Sequence, residues 1–564
     1  MNSRYLSRRQ LMFLGSSSLL TLAGCGNIPT DGPVNHYADP AQSASASNNL
    51  PTATGPQENA SAEEIVRGFL SAGVGAANDY EVAREYLTEG FAQEWQPDAG
   101  TYVYTQDIGV TQNQSNQKWT VSVQVSTAVD ERGQATSYES STKRTFDFEL
   151  KQVNGQWRIS KAPSATILQR SDFEKVFIPF TLYFYDPTFT YAVPDIRWFA
   201  DRSTIATSLV RVLFLGPAPY LEGAVATAVP ENTQLSKNSV PVDNTVAQVD
   251  IQTSTSVKDL TQLQTKRFLT QLTQTLKRLN GIQSVQLSAE NQKIDAGNLE
   301  NYVEAQINAV VETVLVGLKN NDVVVRADIS NENNDTVIFQ GDSAMYAPAM
   351  GYKRQNFAVS NEDRSQISWI NNKKSQVVMR DNHFTRPSID QYQWLWSSSQ
   401  DANIQVYSVA QNASTKDAQV SASWLEGYTV SSLRISRDGA RALIVASLDG
   451  QSSVWIAGVQ RDADNKPTKL LKPIRLGSTI KVSHAVWYSD ASLLVANYDS
   501  GESQIVSLSG EITDLGKLSG LSGISAASGA NTAVAQAQDS AVYSLVDQVW
   551  SRIDVSIQDP SYSG

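Results

Sequence analysis

Cys25 is the one thiol in 564 residues, and it closes the run Leu22-Ala23-Gly24-Cys25. A lone cysteine makes no internal disulfide. Behind small residues, the chemistry open to it is cleavage of the Gly24–Cys25 bond and modification of its sulfur. Elsewhere the residues that could do chemistry are near misses. His36, His383 and His484 are too few and too scattered for a metal cage or a catalytic relay, and each reads as a surface or hydrogen-bonding histidine. Gly510 and Gly516-Lys517 bracket one residue too many for a phosphate loop, and Leu518 replaces the magnesium-binding hydroxyl, so this is a turn. Asp79, Glu81 and Glu85 fall on the polar side of helices and read as solvated surface. No Gly-x-Ser-x-Gly elbow occurs. Carboxylate pairs of the glycosidase kind depend on a three-dimensional separation that sequence leaves open. The residues therefore point to no catalytic set, no metal and no cofactor.

What must position Cys25 is the segment ahead of it. Arg4, Arg8 and Arg9 precede an apolar run from Leu11 to Leu22, the pattern of an export signal. Such a run is too short for a hydrocarbon core that needs about 20 residues. The small-residue-then-Cys ending resembles the lipobox of bacterial lipoproteins. That resemblance implies an S-diacylglycerol group on Cys25, signal cleavage between Gly24 and Cys25, and an N-acyl group such as palmitate on the new amino terminus. An ordinary secretory site followed by a chance cysteine is the alternative. Two or three acyl chains hold a protein stably where one binds marginally, so the expected location is the cell membrane, on the extracytoplasmic face. Arg8-Arg9 also resembles a twin-arginine signal, and the export route stays open between that and the general secretory one.

The chain carries 45 basic and 57 acidic residues, a formal charge of −12. The signal holds three arginines and no acid, so the remainder is −15. That balance speaks against nucleic acid and against docking on anionic head groups by charge. With no second cysteine, the folded parts must be held by core burial alone, in three to four domains at about 150 residues each.

Composition divides the chain. Residues 1–24 are the signal, and residues 25–60, rich in Ser, Ala, Asn, Pro and Gly, read as a disordered tether. Residues 61–175 open with Ser61 and Glu64 at capping-box spacing before Ile65, Val66, Phe69 and Leu70. A second helix is expected through Val82, Tyr86 and Leu87, followed by alternating strands and an Asn154-Gly155 hairpin turn. This is an α+β domain, a cone-like sheet on its helices. Residues 176–325 alternate strands with a helix through Leu209 and Leu213, closed by Gly216-Pro217, and a leucine-rich helix from Leu260 through Leu263, Leu269, Leu272 and Leu276 to Leu279. Leucines at that spacing read as core.

Residues 326–564 repeat a phrase of strand, Ser-x-Asp turn, buried strand and hairpin. Leu433 to Ile456 is one copy, with Ser436-Arg437-Asp438-Gly439 as its turn, and Ala485 to Leu508, with Ser489-Asp490, is another. This is the pattern of a β-propeller blade, and the length suits five or six. Its tryptophans read as packing between blades.

Tyr183-Phe184-Tyr185-Asp186, Val193-Pro194-Asp195-Ile196-Arg197, Leu215-Gly216-Pro217 and Gly281-Ile282-Gln283-Ser284-Val285 resemble a GerMN domain. Together with Asn27-Ile28-Pro29-Thr30-Asp31-Gly32-Pro33 after the lipobox and Glu63-Glu64-Ile65-Val66-Arg67-Gly68-Phe69, the order is similar to the LpqB-type actinobacterial lipoproteins. The resemblance implies an accessory binding role toward the extracytoplasmic domain of an MtrB-like sensor histidine kinase, in signalling tied to the cell envelope and division. A peptidoglycan or other wall-glycan or peptide ligand is the alternative partner, and a propeller hydrolase acting on envelope polymer is a third reading.

Overall fold

The computed structural model describes residues 52–564 apart from 114–117, 255–259, 310, 330–334, 411–416 and 528–531. Gly24, Cys25, His36 and most of the expected tether lie outside the described residues. Among the described residues, no helix is long and apolar enough to cross a membrane. They belong to one unit, Ala38–Gly564.

The first helix, Ala62–Ala72, starts where the capping box puts it. Ser61 Oγ accepts from the Glu64 N–H at 3.3 Å, and Glu64 returns a carboxylate oxygen to the Ser61 N–H at 2.7 Å. Ile65, Val66, Phe69 and Leu70 are buried against a six-stranded sheet. Its longest strand, Ala135–Val153, turns at Asn154-Gly155, both at positive φ, into Gln156–Lys161, as the hairpin signal predicts. The second helix is shorter than expected, one turn over Glu81–Arg84. Tyr86 and Leu87 leave it to bond the strand at Ile159. Asp79, Glu81 and Glu85 are exposed, as read.

The boundary at residue 60 needs correction. Ala53 and Ala60 pack on the first domain's core, Thr54 C=O accepts from the Tyr86 hydroxyl at 2.8 Å, and the Asn59 N–H donates to Gln156 at 2.8 Å. The segment from Ala53 onward is therefore docked chain.

The middle region opens with a hairpin, Phe177–Tyr185 and Ala192–Ala200. The helix Ile205–Phe214 follows and closes at Gly216, whose φ of +91° suits glycine. Strands Val246–Gln252 and Ser284–Ala289 pair in parallel, with the helix Gln262–Leu276 between them in sequence. Leu272 and Leu276 are buried with Phe268, but Leu263 is 42% exposed and Leu260 precedes the helix. The helix is capped at Thr261 by Gln264, so the leucine stripe becomes core only in its second half.

Six sheets follow among the described residues, five of four strands and one of five. The second to sixth begin with innermost strands Met345–Met350, Ser388–Ile389, Thr429–Ile435, His484–Trp487 and Leu521–Ala526. The first is composite: Leu315–Lys319, Asp322–Arg326 and Asp335–Gln340 are completed by Gln558–Ser561, which pairs antiparallel with Leu315–Lys319 and supplies the innermost strand. The ring is thus a six-bladed propeller closed by its last strand. It begins at Leu315, ahead of the boundary read at 326. The wide spacing of Ser436 and Ser489 has a local cause. Blade four carries an eleven-residue strand, Gln451–Arg461, that pairs with both Pro467–Leu470 and Ile474–Leu476. Trp394 and Trp396 pack against Val430, Leu433 and Ile444 of the next blade, the packing role expected of them. Gly510 and Gly516 sit at positive φ in a turn and strand edge, and Lys517 pairs with Glu502 at 3.2 Å.

Candidate functional site

The two ends of the propeller channel are built differently. The Ser-x-Asp turns lie at the end that meets the middle domain. In the Ser436–Gly439 turn, Asp438 accepts from Ser436 Oγ at 2.6 Å and from Arg441 at 2.5 Å. Asp390, in the matching turn of blade three, accepts from the Trp396 indole at 2.8 Å and Arg461 at 2.7 Å. These carboxylates are used up holding turns and buried cations.

The middle domain is seated on this end. Ala218, Tyr220 and Leu221 are buried in one cluster with Leu443, Val445, Ile456 and Trp487 of the propeller. The Gly458 N–H donates to Tyr220 C=O at 3.0 Å, and a Cβ at Gly458 would lie 2.3 Å from that oxygen. Asp186 caps its own turn through the N–H groups of Thr188, Thr190 and Tyr191, and accepts from the Tyr392 hydroxyl at 2.8 Å. Asp490 accepts from the Asn308 N–H at 2.9 Å.

Asp195 and Arg197 tie all three regions together. Both side chains are fully buried, with two parallel bonds of 2.8 Å. Asp195 also accepts from the Ala218 N–H at 2.8 Å, beside the propeller contact, and Arg197 donates to Arg132 C=O of the first domain at 2.8 Å. The Trp198 N–H reaches Gly133 C=O at 2.7 Å, where the +76° φ and a 2.8 Å approach leave no room for a Cβ.

The opposite end of the channel is lined by donors. Tyr346, Arg386, Arg434, His484 and Asp559 stand on or beside the innermost strands of five blades, and Tyr498 sits in a loop of blade five. Arg386 and Arg434 are 8% and 5% exposed. Arg386 pairs with Asp559 at 2.5 Å and lies 5.3 Å from the Tyr346 ring centre, which Arg364 also approaches at 5.7 Å. Burial would lower the Arg386 pKa, but Asp559 and Tyr346 raise it above the usual arginine range. Arg434 donates to Pro387 C=O at 2.7 Å and, at 3.4 Å, to a carboxylate oxygen of Gly564, the last residue. Burial, with Arg386 beside it, brings its pKa down to about 10.

His484 departs from expectation. It is buried and stacked on Tyr498 with ring centres 5.9 Å apart, and its Nε2 has no hydrogen bond among the described residues. Burial first, then Arg434 and Arg386, holds its pKa well below 6.5, so it is neutral at pH 7. His383 is exposed. Among the described residues, no group of three or more His, Cys, Asp or Glu side chains is placed to hold a metal ion. Of the predicted site residues, Gly24 and Cys25 lie outside the described residues, and the channel arginines are not among those the sequence patterns point to. The signal available was an arginine inside an apolar innermost strand, Leu433-Arg434-Ile435, where alternation must point it away from both blade cores.

Three family models match the chain in order. "Lipoprotein LpqB, N-terminal domain" covers residues 55–174, "Sporulation and spore germination" covers 181–295, and "Lipoprotein LpqB beta-propeller domain" covers 324–563. Among curated relatives, Lipoprotein LpqB of Cutibacterium acnes is 28% identical over 287 residues, 50% of this chain but 46% of that protein. That match spans about half the relative's length. Lipoprotein LpqB of Bifidobacterium longum is 24% identical across 85% of this chain and 83% of its own, and that of Streptomyces avermitilis is 23% identical across 88% of each. Among solved structures, TolB from Acinetobacter baumannii aligns with 44% of this chain and 66% of its own at 11% identity and a TM-score of 0.34.

Proposed function

Since the chain belongs to the LpqB lipoprotein family, its two LpqB models together matching well over half of it, we propose that it is a non-catalytic binding protein of the cell envelope. In this reading a lipid on Cys25 anchors it to the outer face of the cell membrane, and it modulates a sensor histidine kinase of the MtrB kind. The observation that supports binding over turnover is the contrast between the channel ends. One is closed by the middle domain, with its carboxylates engaged. The other carries the buried guanidiniums of Arg386 and Arg434, matched by the carboxylates of Asp559 and Gly564, and among the described residues no nucleophile and base stand there in a catalytic relation. A protein of this design acts by affinity: holding one sensor conformation more tightly than the other shifts their populations.

Crosslinking in intact cells, followed by recovery of the protein from the membrane fraction, tests the partner. The sensor's extracytoplasmic domain should be recovered at native abundance, and its absence from crosslinked material would sink the sensor reading. The anchor has its own test. Cys25→Ser should move the protein from the membrane to the soluble fraction or leave its signal uncleaved, and continued lipid labelling of the variant would refute it.

A glycan-binding reading draws on one further observation. A groove of about 590 Å³ between blades two and three is lined by Gln355, Asn356, Asn371, Asn372 and Gln393, with Val409 and Ala410, an uncharged lining rich in amide residues of the kind that suits hydroxyl groups.

A further inference from the structure

The leucine stripe of the helix Gln262–Leu276 is core only in its second half, and its first half borders a cleft. Leu263, 42% exposed, and Val303, 77% exposed, flank an opening of about 200 Å³ walled by Tyr185, Phe189, Arg267 and Tyr302. The walls are fixed in place. The Tyr185 and Phe189 rings lie 5.0 Å apart, the Tyr185 hydroxyl donates to Arg267 C=O at 3.1 Å, and the Tyr302 hydroxyl donates to Thr270 Oγ1 at 3.1 Å. Ala305 C=O accepts from Gln274 at 2.9 Å and the Gln306 N–H donates to Thr190 C=O at 2.9 Å, so the bordering chain is tied down. Two neighbouring cations stand here, each half-buried. The Arg267 guanidinium lies 3.9 Å from the centre of the Phe189 ring, and the Lys266 ammonium 5.7 Å from that of Tyr302. Among the described residues neither makes an ion pair, and the five side-chain N–H donors of Arg267 have no hydrogen-bond acceptor. Glu300 and Glu304 of the bordering chain are exposed, and Glu304 accepts from Gln274 at 3.1 Å.

We propose that this cleft of the middle domain docks a segment of a partner protein, one that buries a single large apolar side chain between Phe189, Tyr302 and Leu263 and sets an adjacent carboxylate against Arg267. Its size favours a side chain over a free small molecule, whose sites run from about 300 Å³ upward. Its rim favours a protein as well, because Leu263 and Val303 carry the apolar surface outward past the opening, as around the anchor pocket of an interface. The carboxylate follows from charge. In a chain of net −12, the guanidinium fork of Arg267 faces the cleft with its donors unused, and a carboxylate is the group that matches such a fork. With the aromatic rings already held, the docked segment orders itself against a formed surface. The inference rests on the binding reading but not on the sensor. Crosslinking can fail to recover the sensor while the cleft still takes its segment, and the reverse.

The test is selection of a phage-displayed library of random peptides on the full-length protein in neutral detergent, with Val303→Asp protein used to remove peptides that bind elsewhere. The peptides retained should place Phe, Leu or Trp next to Asp or Glu. One of them, synthesised with a fluorescent label, is then titrated by anisotropy. Leu263→Asp and Val303→Asp, both at exposed positions where folding should survive, should each weaken binding at least about tenfold, the cost of spoiling an anchor contact. Val549→Asp, at a 60% exposed position on the outer strand of blade six, should bind as wild type does. Arg267→Gln should weaken binding, and changing the peptide's acid to its amide should weaken it by a similar factor in wild type but little further in Arg267→Gln, as expected of two groups that meet. The inference is overturned if no peptide is retained over the Val303→Asp protein, if the retained peptides lack the apolar and acidic pair, or if folded Leu263→Asp protein binds as wild type.

Discussion

Asp195→Ala is expected to lower the stability of the described unit by about 3–5 kcal/mol, the cost of leaving a buried charge without its partner. Arg197 is fully buried and cannot reach water without moving the hairpin Ala192–Ala200. The loss should spread beyond one domain. Asp195 also accepts the Ala218 N–H next to the propeller contact, and Arg197 holds Arg132 C=O of the first domain. Urea unfolding followed by tryptophan fluorescence should show a lower midpoint. Limited proteolysis should show a new cut in the turn at residues 130–134. The double variant Asp195→Leu with Arg197→Met should lose less than the two single variants summed, because neither charge is then orphaned. Equal and additive losses would show that the pair is not the joint described here.

Removing residues 558–564 should have the other large effect. The deletion takes away the innermost strand of blade one, the Arg386–Asp559 ion pair, and Tyr562, which is buried with Leu315 and Val534. It leaves Leu315–Lys319 with an open edge and the ring unclosed. The loss should rival the about 5–15 kcal/mol that holds a typical domain together. Near-UV circular dichroism should lose the signal of the propeller tryptophans, while far-UV signal from the helices at Ala62–Ala72 and Gln262–Leu276 persists. A synthetic peptide of residues 556–564 should restore part of the near-UV signal by adding the missing strand. A deleted protein with unchanged near-UV spectrum would mean that the ring does not depend on this closure.

Local chemistry made much of this fold legible. Ser61 and Glu64 announce a helix start because a hydroxyl and a carboxylate three residues apart satisfy each other's backbone N–H. Asn154-Gly155 announces a hairpin because both residues accept positive φ. Asp438 announces a blade turn because its carboxylate bonds the chain two residues on. Pairings between residues far apart in the chain leave no such local mark. The closing strand reads Gln558-Asp559-Pro560-Ser561, with no strand pattern and a proline, which is tolerated because an innermost strand has an unpaired edge. Tyr80 ends the 3₁₀ turn and begins the second helix at a φ of 58°, and that helix stops after four residues; its residue type predicts neither. The channel site draws on side chains from Tyr346 to Asp559, and each alone looks like an ordinary surface arginine, tyrosine or aspartate.

The closing strand also sets an order in time. Val316 pairs with Ser561, and Leu318 with Gln558, so the two halves of blade one are separated by the whole ring. Such a pairing carries the loop-closure cost of a long chain and is slow to find. For a chain that is threaded from its amino end, blade one stays a three-stranded sheet with a bare edge until the final blade has emerged. The ring therefore cannot lock while any of it is still in transit. Until then Leu315–Lys319 offers the open edge that chaperones and aggregates alike recognise. Holding off closure to the last strand keeps the chain pliable through its passage, and makes that brief interval the one in which it is most exposed to mispairing.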